Sequence, residues 1–523
     1  MSEEKKSTYD EIPYEIGSYP ATQPSSIGVV AQFFGLKPAP ADKCRVLELG
    51  CGSGWNLIPM ACRFPESEYV GIDLSKTHID DAEAATKELG LGERLKFHHG
   101  SITDVDESFG TFDYILCHGV YSWVPREVQD HIMKICHDNL RPDGVAYISY
   151  NTYPGWHMRG MIRDMMRYHA QEFAEPLQKV REARGLIDFL SQTVSAEGNA
   201  YGMMLQNELK LLKRTADSYQ FHEHLEEVND PIYFYQFIER AQGEKLKYLS
   251  EASVSSMLVN NMPEKVELTL RRVSNDEIRI EQYMDFVRNR TFRQTLLCHE
   301  SQKVHRHLNA GLLNEFCIAF GGQPATDASD AALETKVDFN LPGGRKLTCG
   351  DATLIRLLRH LGERWPNYEP TGDALSAVGV TPNTKVAEQV LASLLKLYTS
   401  DALVARTIPP TFTTEVAERP VAPPMVRFQA ARSKRIVNAL HETHSLNDFF
   451  VLLLKELDGS KDKEALSKIM VDAVKGRKLS LAQEGVPLRP DDPKVAEIIP
   501  NAVDEVLRKL ARAGFLADGG DVK

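Results

Sequence analysis

Between Val46 and Asn56 the chain reads as a short strand that runs into three alternate glycines and out into a helix: Val46-Leu47-Glu48-Leu49-Gly50-Cys51-Gly52-Ser53-Gly54-Trp55-Asn56. Glycine has no Cβ and tolerates positive φ, so such a turn lets a ligand press against bare main chain. Strand and helix then alternate. Glu68-Tyr69-Val70-Gly71-Ile72-Asp73 predicts a second strand, Leu95-Lys96-Phe97-His98-His99 a third and Phe112-Asp113-Tyr114-Ile115-Leu116-Cys117 a fourth. Gly144-Val145-Ala146-Tyr147-Ile148-Ser149-Tyr150 predicts a fifth. Helices are expected from Trp55 to Arg63, from Thr77 to Leu89 and from Pro125 to Asn139, the last stopped by a turn at Arg141-Pro142-Asp143-Gly144. This rhythm predicts βαβ units and a parallel sheet. Right-handed crossovers then favour a doubly wound α/β sheet with ligands at the carboxyl ends of its strands.

The dinucleotide fingerprint G-x-G-x-x-G does not fit the turn. Started at Gly50 it needs a third glycine where Trp55 stands, and started at Gly52, where Leu57 stands. The spacing is instead acid-x-G-x-G-x-G from Glu48 to Gly54, which suits a ligand with a charged amino-acid end whose ammonium meets Glu48 directly or through water. Asp73 closes the second strand 23 residues past Gly50, about where a carboxylate takes ribose hydroxyls. After the third strand, Gly100-Ser101-Ile102-Thr103-Asp104 offers a small polar residue and an apolar one to flank an adenine. Three such elements in order point to an adenosine-type ligand.

Beyond Tyr150 the rhythm breaks. Residues 156–228 carry long helical patterns rich in Met, Arg, Tyr and Leu. A helix is expected from about Ile232 to Gln242, and Lys245-Leu246-Lys247-Tyr248-Leu249 reads as a sixth strand. Met262 to Asn289 reads as mostly helical, and Thr291 to Cys298 as a seventh strand. From about residue 347, helices are expected at 351–364, 384–401, 444–458 and 499–513, around a proline-rich link at Pro409-Pro410, Pro420 and Pro423-Pro424. Each half closes with a helix running into a short strand, as winged-helix modules do, and neither carries a catalytic pattern. Residues 1–25 hold Pro13, Pro20 and Pro24 with Tyr9, Tyr14 and Tyr19, so no long helix fits there. Either a solvated tail or an arm folded over a pocket suits them, with Tyr14 the most central ring.

The chain has 523 residues, 42% apolar and 26% charged, a composition for two to four globular domains. Lys and Arg number 61 against 73 Asp and Glu, a net charge of −12, which excludes a nucleic-acid binder relying on overall positive charge. No window reaches the ~18–20 consecutive apolar residues of a spanning helix. The charged start Met1-Ser2-Glu3-Glu4-Lys5-Lys6 has no apolar run behind it, so no secretory signal is expected. The eight cysteines form no C-x-x-C pair, which suits reduced thiols in the cytoplasm. His222-x-His224 and His305-x-His307 lack a third ligand at sensible spacing, so no metal is expected.

On these motifs, residues 44–150 resemble class I S-adenosylmethionine-dependent methyltransferases. The likeness narrows with His118-Gly119-Val120-Tyr121-Ser122-Trp123-Val124-Pro125, Ser149-Tyr150-Asn151-Thr152-Tyr153-Pro154-Gly155-Trp156-His157 and Arg288 to Cys298. These resemble bacterial methyltransferases with a methyltransferase regulatory domain, a group that includes the rickettsial protein-lysine methyltransferases. The resemblance spans roughly residues 8–305 and extends loosely into the C-terminal half. It implies a seven-stranded Rossmann-like sheet over 44–155 and 229–305, a helical cap at 156–228, an N-terminal arm at 1–43 and a linker at 306–346. Winged-helix-like modules at 347–408 and 425–520 would follow. It further implies S-adenosylmethionine as cofactor, held by Glu48, Gly50, Cys51, Gly52, Asp73, Leu74, Ser101 and Ile102, with Cys117 and His118 opposite.

For some members of the group the resemblance implies a lysine ε-amine acceptor. A small-molecule N- or O-methyltransferase is the alternative, and a non-catalytic adaptor that binds the donor a third. His118, Tyr121, Asn151 and Tyr153 are the candidate catalytic residues; Tyr14, Trp123 and Trp156 are candidate pocket walls. Aromatic faces tolerate an ammonium through cation–π contact, while desolvation lowers its pKa. Each also has a plainer reading, Trp123 as packing and His118 as a backbone partner. Arg288, Arg290 and Arg293 are expected in structural salt bridges. Arg159, Arg163 and Arg167 read as a solvated basic stripe or as a cap face meeting a protein substrate.

Overall fold

The computed structural model of the chain describes residue 12 and residues 17–325, 336–483 and 486–518. Helix α1 (Pro24–Phe33) leads into β1 (Arg45–Leu49), α2 (Leu57–Arg63), β2 (Glu68–Asp73), α3 (Lys76–Glu88) and β3 (Leu95–His99). Then come β4 (Phe112–Cys117), α4 (Arg126–Asp138) and β5 (Leu140–Asn151). Every residue of β4 and four of five in β1 are buried, which is why both read as unbroken apolar runs. Strands β1 to β5 pair in parallel in the order β3-β2-β1-β4-β5. The order reverses between β1 and β4, and at such a switch point the loops leaving the two strands diverge and open a crevice.

Four helices follow β5: α5 (Gly155–Ala170), α6 (Pro176–Thr193), α7 (Ala200–Leu212) and α8 (Asp217–His224). Ile162, Met166, Ile187, Leu205 and Leu212 pack among themselves into a small core separate from the main one. The chain returns through α9 (Phe234–Gly243), β6 (Leu246–Glu251), α10 (Glu264–Val273), α11 (Glu277–Arg288) and β7 (Phe292–His299). Strand β7 slots between β5 and β6, antiparallel to both, and completes seven strands. Arg293 on β7 is fully buried and pairs with Glu251 (2.8 Å), Glu281 (3.0 Å) and Asp285 (2.8 Å), which ties β6 and α11 to the sheet.

The expected turn at Arg141 to Gly144 is part of β5. Phe112 pairs with Leu140, the register shifts, and Tyr114 then pairs with Val145. Residues 141–143 sit exposed in that irregularity, where a proline costs little. The stretch 306–346, expected as a linker, carries β8 (Cys317–Ala319), β9 (Gln323–Pro324) and β10 (Val337–Asn340), the last paired with β11 (Lys346–Cys349). After α12 (Ala352–Arg364), β12 (Glu369–Pro370), α13 (Thr371–Ala377) and α14 (Lys385–Tyr398), the strand β13 (Val404–Arg406) flanks β8 opposite β12. A three-residue strand whose partners lie about 50 and 90 residues downstream leaves no local signature. The last module holds α15 (Pro424–Ala430), the hairpin β14 (Arg435–Val437) and β15 (Thr443–Ser445), then α16 (Asp448–Glu456), α17 (Lys463–Lys475) and α18 (Lys494–Arg512). Among the described residues no helix is long and apolar enough to cross a membrane.

Within the expected arm, α1 is a core helix. Phe33 is buried against Phe316 and Tyr398, both with ring centroids 5.3 Å away, and Thr407 N donates to Ser25 O (3.0 Å). The helix joins the sheet to the first C-terminal module. Phe33→Ala is therefore expected to destabilise the chain by about 3–5 kcal/mol in chemical denaturation. A loss below about 1 kcal/mol would show that the two parts do not share this core.

Candidate functional site

At the switch point the loops after β1 and β4 touch. Gly50 adopts φ +72°, and a Cβ built there would lie 2.5 Å from Val120 Cγ2 on the opposite loop. Gly54 adopts φ +75°, with Phe97 filling the space a side chain would need. Main chain from β2 clamps the turn, because Gly50 N (2.9 Å) and Cys51 N (3.1 Å) both donate to Ile72 O. Gly52 N donates to Asp73 Oδ2 (2.8 Å) and Ser75 N to Asp73 Oδ1 (2.9 Å). Each Asp73 oxygen keeps a free lone pair, so the carboxylate can brace the turn and still accept from a ligand hydroxyl.

Glu48 lies beneath this turn, 3% exposed. Its Oε1 accepts from Asn56 Nδ2 (2.7 Å), while Oε2 is buried with no partner. Burial pushes its carboxyl up to about 8. A buried carboxylate oxygen without a donor is costly, and an ammonium meets that need directly. Leu74, next to Asp73, is 63% exposed although apolar, while Ile102 is buried. Ser101 caps its short helix, with its N–H on Asp104 Oδ2 (2.7 Å). The thiols of Cys51 and Cys117 point into the core, so these two residues can offer a ligand only main chain.

Opposite the turn, His118 Nδ1 bonds Tyr147 OH (2.8 Å), and its ring lies 3.7 Å from that of Tyr19. Burial lowers its pKa to about 4, so the imidazole is neutral near pH 7. Phe292, 40% exposed, stands edge-on to it at 6.1 Å. Next to Phe292 on the sheet is Asn151, whose Nδ2 is buried without a partner. Tyr153 stacks on His157 (3.9 Å) and meets Tyr233 (5.2 Å), which meets the exposed Phe286 (6.1 Å).

Tyr121 does not join this group. The short 3₁₀ turn Tyr121–Trp123 directs its ring inward, where it is 0% exposed against Tyr150 and Phe237, with its hydroxyl accepting from Arg240 (3.4 Å). Trp156 is likewise buried, edge-on to the half-buried Trp123 at 6.4 Å. Tyr14 lies outside the described residues. The stripe expected at Arg159 and Arg163 is not solvated: Arg159 covers Trp156 and pairs with Glu223 (3.0 Å), and Arg163 covers Trp123. His222 Nε2 donates to Ile12 O (2.6 Å), and Nδ1 pairs with Glu226 (2.7 Å). Sequence reasoning missed Tyr19, Thr22, Asn56 and Tyr147. Only the position of Asn56 at the end of the glycine run hinted at its role.

Three family models match the chain: a methyltransferase domain over residues 46–144, a predicted methyltransferase regulatory domain over 216–299 and a PKMT C-terminal winged-helix domain over 418–515. An uncharacterised protein of Rickettsia prowazekii, RP789, is 37% identical over 488 residues, spanning 91% of this chain and 88% of its own. The structure of PKMT2 from Rickettsia typhi matches with a TM-score of 0.86 at 30% identity, covering 97% of this chain and 100% of that one. Its complex with AdoHcy matches at 0.85 and 31%, over the same shares.

Gly50→Ala is expected to destabilise the chain by about 1–3 kcal/mol, because it adds a left-handed strain to a contact with Val120. Val120→Ala in the same chain should recover only part of that loss, since the backbone strain persists. Unfolding midpoints of the wild type and the two variants check this; an unshifted midpoint for Gly50→Ala would contradict it.

Proposed function

We propose that this chain, which belongs to the methyltransferase family of PKMT2 from Rickettsia typhi and is an S-adenosylmethionine-dependent methyltransferase, delivers its methyl group to the ε-amine of a protein lysine. The likeness to PKMT2 along the whole chain, winged-helix domain included, carries the acceptor part of this reading. Bound S-adenosylmethionine supplies a methyl group already activated for displacement by its sulfonium. The chain's task is alignment and dehydration, and alignment alone can be worth roughly 7–11 kcal/mol.

The unmatched Glu48 oxygen fits the ammonium of the donor, and the Gly50–Gly52 main chain lets its amino-acid end approach. Asp73 would take the ribose hydroxyls, with Leu74 and Ile102 on the adenine and Ser101 at its edge. On the acceptor side, a lysine ammonium starts near pKa ~10.4 and must lose a proton before attack. His118, at about 4, is too weak a base to drive that loss. It serves as a wall with Tyr19 and Phe292, dehydrating the amine and so lowering its pKa. The aromatic surface of Tyr153, Tyr233 and Phe286 continues outward from Phe292 and Asn151, where a protein could lie. Asn151 Nδ2, buried without an acceptor at the end of β5, suits a carbonyl oxygen of a peptide.

A second reading rests on Tyr19. Its ring covers His118, and an entrance closed in this way favours a small-molecule acceptor. Incubation with methyl-labelled donor and a cell lysate separates the two. Label in protein, recovered as methyl-lysine, supports the first reading; label confined to small molecules overturns it in favour of the second.

The Glu48 carboxyl sets a pH dependence. Its pKa is raised to about 8 in the free chain, so it is protonated at pH 7 and must lose that proton to pair with an ammonium. Affinity for S-adenosylhomocysteine is expected to rise with pH up to about 8, by at most about tenfold per unit, and then level off. Glu48→Gln should bind more weakly and flatten the profile. Calorimetry on both chains measures this, and a flat wild-type profile below pH 8 would refute it.

A further inference from the structure

We infer that the C-terminal winged-helix domain is part of the donor site, with His441 a positioning residue for the Glu48 carboxylate that acts through the side chain of Asn56. This rests on the donor site described above and deepens it.

Asn56 is 1% exposed at the start of α2, and both ends of its amide have partners. Nδ2 donates to Glu48 Oε1 (2.7 Å). Oδ1 faces His441 Nε2 (2.9 Å), Thr22 Oγ1 (3.0 Å) and Tyr19 N (3.2 Å). The Tyr19 N–H can only donate, so this end of the amide is the carbonyl and the NH₂ end necessarily meets Glu48. His441 Nε2, facing the same carbonyl, then carries the ring hydrogen. The opposite nitrogen, Nδ1, is buried with no partner, and burial holds the ring neutral, its pKa lowered to about 3.

His441 is delivered from 385 residues away, by the loop between β14 and β15. It adopts φ +66°, and its N–H donates to Asn438 O (3.1 Å) while its carbonyl accepts from Ser18 Oγ (3.0 Å). Ser18 N also donates to Thr443 Oγ1 (2.9 Å), so the hairpin holds the same N-terminal segment that places Tyr19 over His118. A left-handed histidine with a buried unmatched nitrogen is an expensive way to close a hairpin, where glycine or asparagine would turn without strain. Both costs are offset if the ring fixes the amide that fixes the carboxylate. Without the His441 N–H, Asn56 Oδ1 loses the shortest of its three contacts and keeps only Thr22 Oγ1 and Tyr19 N, so the amide is held less firmly in the orientation that presents its NH₂ end to the ionised carboxylate an ammonium requires.

Two ligands on the full-length chain test this. S-adenosylhomocysteine carries the amino-acid end that Glu48 meets, whereas methylthioadenosine has the same nucleoside and lacks that end. By calorimetry, His441→Ala is expected to weaken S-adenosylhomocysteine by about tenfold and to leave methylthioadenosine within about twofold. His441→Gln, whose amide nitrogen can donate from a similar place, should recover most of the loss. Unchanged S-adenosylhomocysteine affinity in His441→Ala overturns the inference, as does equal weakening of both ligands, which would mark a merely structural role. Failure of the wild-type chain to bind S-adenosylhomocysteine would instead overturn the donor-site reading beneath it.

Discussion

A carboxyl group held out of water with one oxygen unmatched is a liability that a fold keeps only for a reason, and Glu48 is that group here. Its burial follows from its place on β1, a strand covered on both faces. Parallel pairing to β2 and β4 brings the carboxyl end of β1 to the point where strand order reverses. The glycines above it exist because two loops converge there, and the Gly50–Val120 approach leaves no room for a Cβ. Asp73 braces the same turn through Gly52 N. Glu48, the bare turn and Asp73 thus form one mechanical unit, in which each holds another in place.

The surroundings of that unit come from distant parts of the chain. The N-terminal segment supplies Tyr19 and Thr22, Phe316 and Tyr398 hold α1, and the last module reaches Asn56 with His441. Ile12 is bonded to His222 in the cap, so the described parts of that segment touch both the cap and the C-terminal hairpin. The region matched by the regulatory-domain model, 216–299, contributes β6 and β7 to the same sheet and brings Phe292 beside His118. The regions matched by the regulatory-domain and methyltransferase-domain models therefore share one hydrogen-bonded layer, welded further by the buried Arg293 cluster.

Much of the fold was legible because strands buried on both faces leave dense apolar runs, as at Val46 to Leu49 and Phe112 to Cys117. Gly50, Gly52 and Asp73 were legible as candidates for the same reason, since each ends or follows such a run, and Glu48 because it is the one acid inside the run Val46 to Leu49. Side-chain direction was not. His118 follows β4 by one residue and Tyr121 by four, and a 3₁₀ turn sends the Tyr121 ring into the core while His118 stays at the crevice. Proximity to a strand end places the backbone and leaves orientation to local dihedrals. The strand Cys317–Ala319 was invisible because three residues carry no periodicity and both partners are remote.

Local chemistry in the chain was enough to establish the layer architecture, the crevice and the class of ligand, since each rests on contiguous residues whose spacing obeys strand and turn geometry. Which groups share the crevice was decided only when the chain closed. His441 and Asn56 stand 385 residues apart and meet through a single hydrogen bond, and no pattern along the backbone encodes a contact whose partners are joined solely by packing.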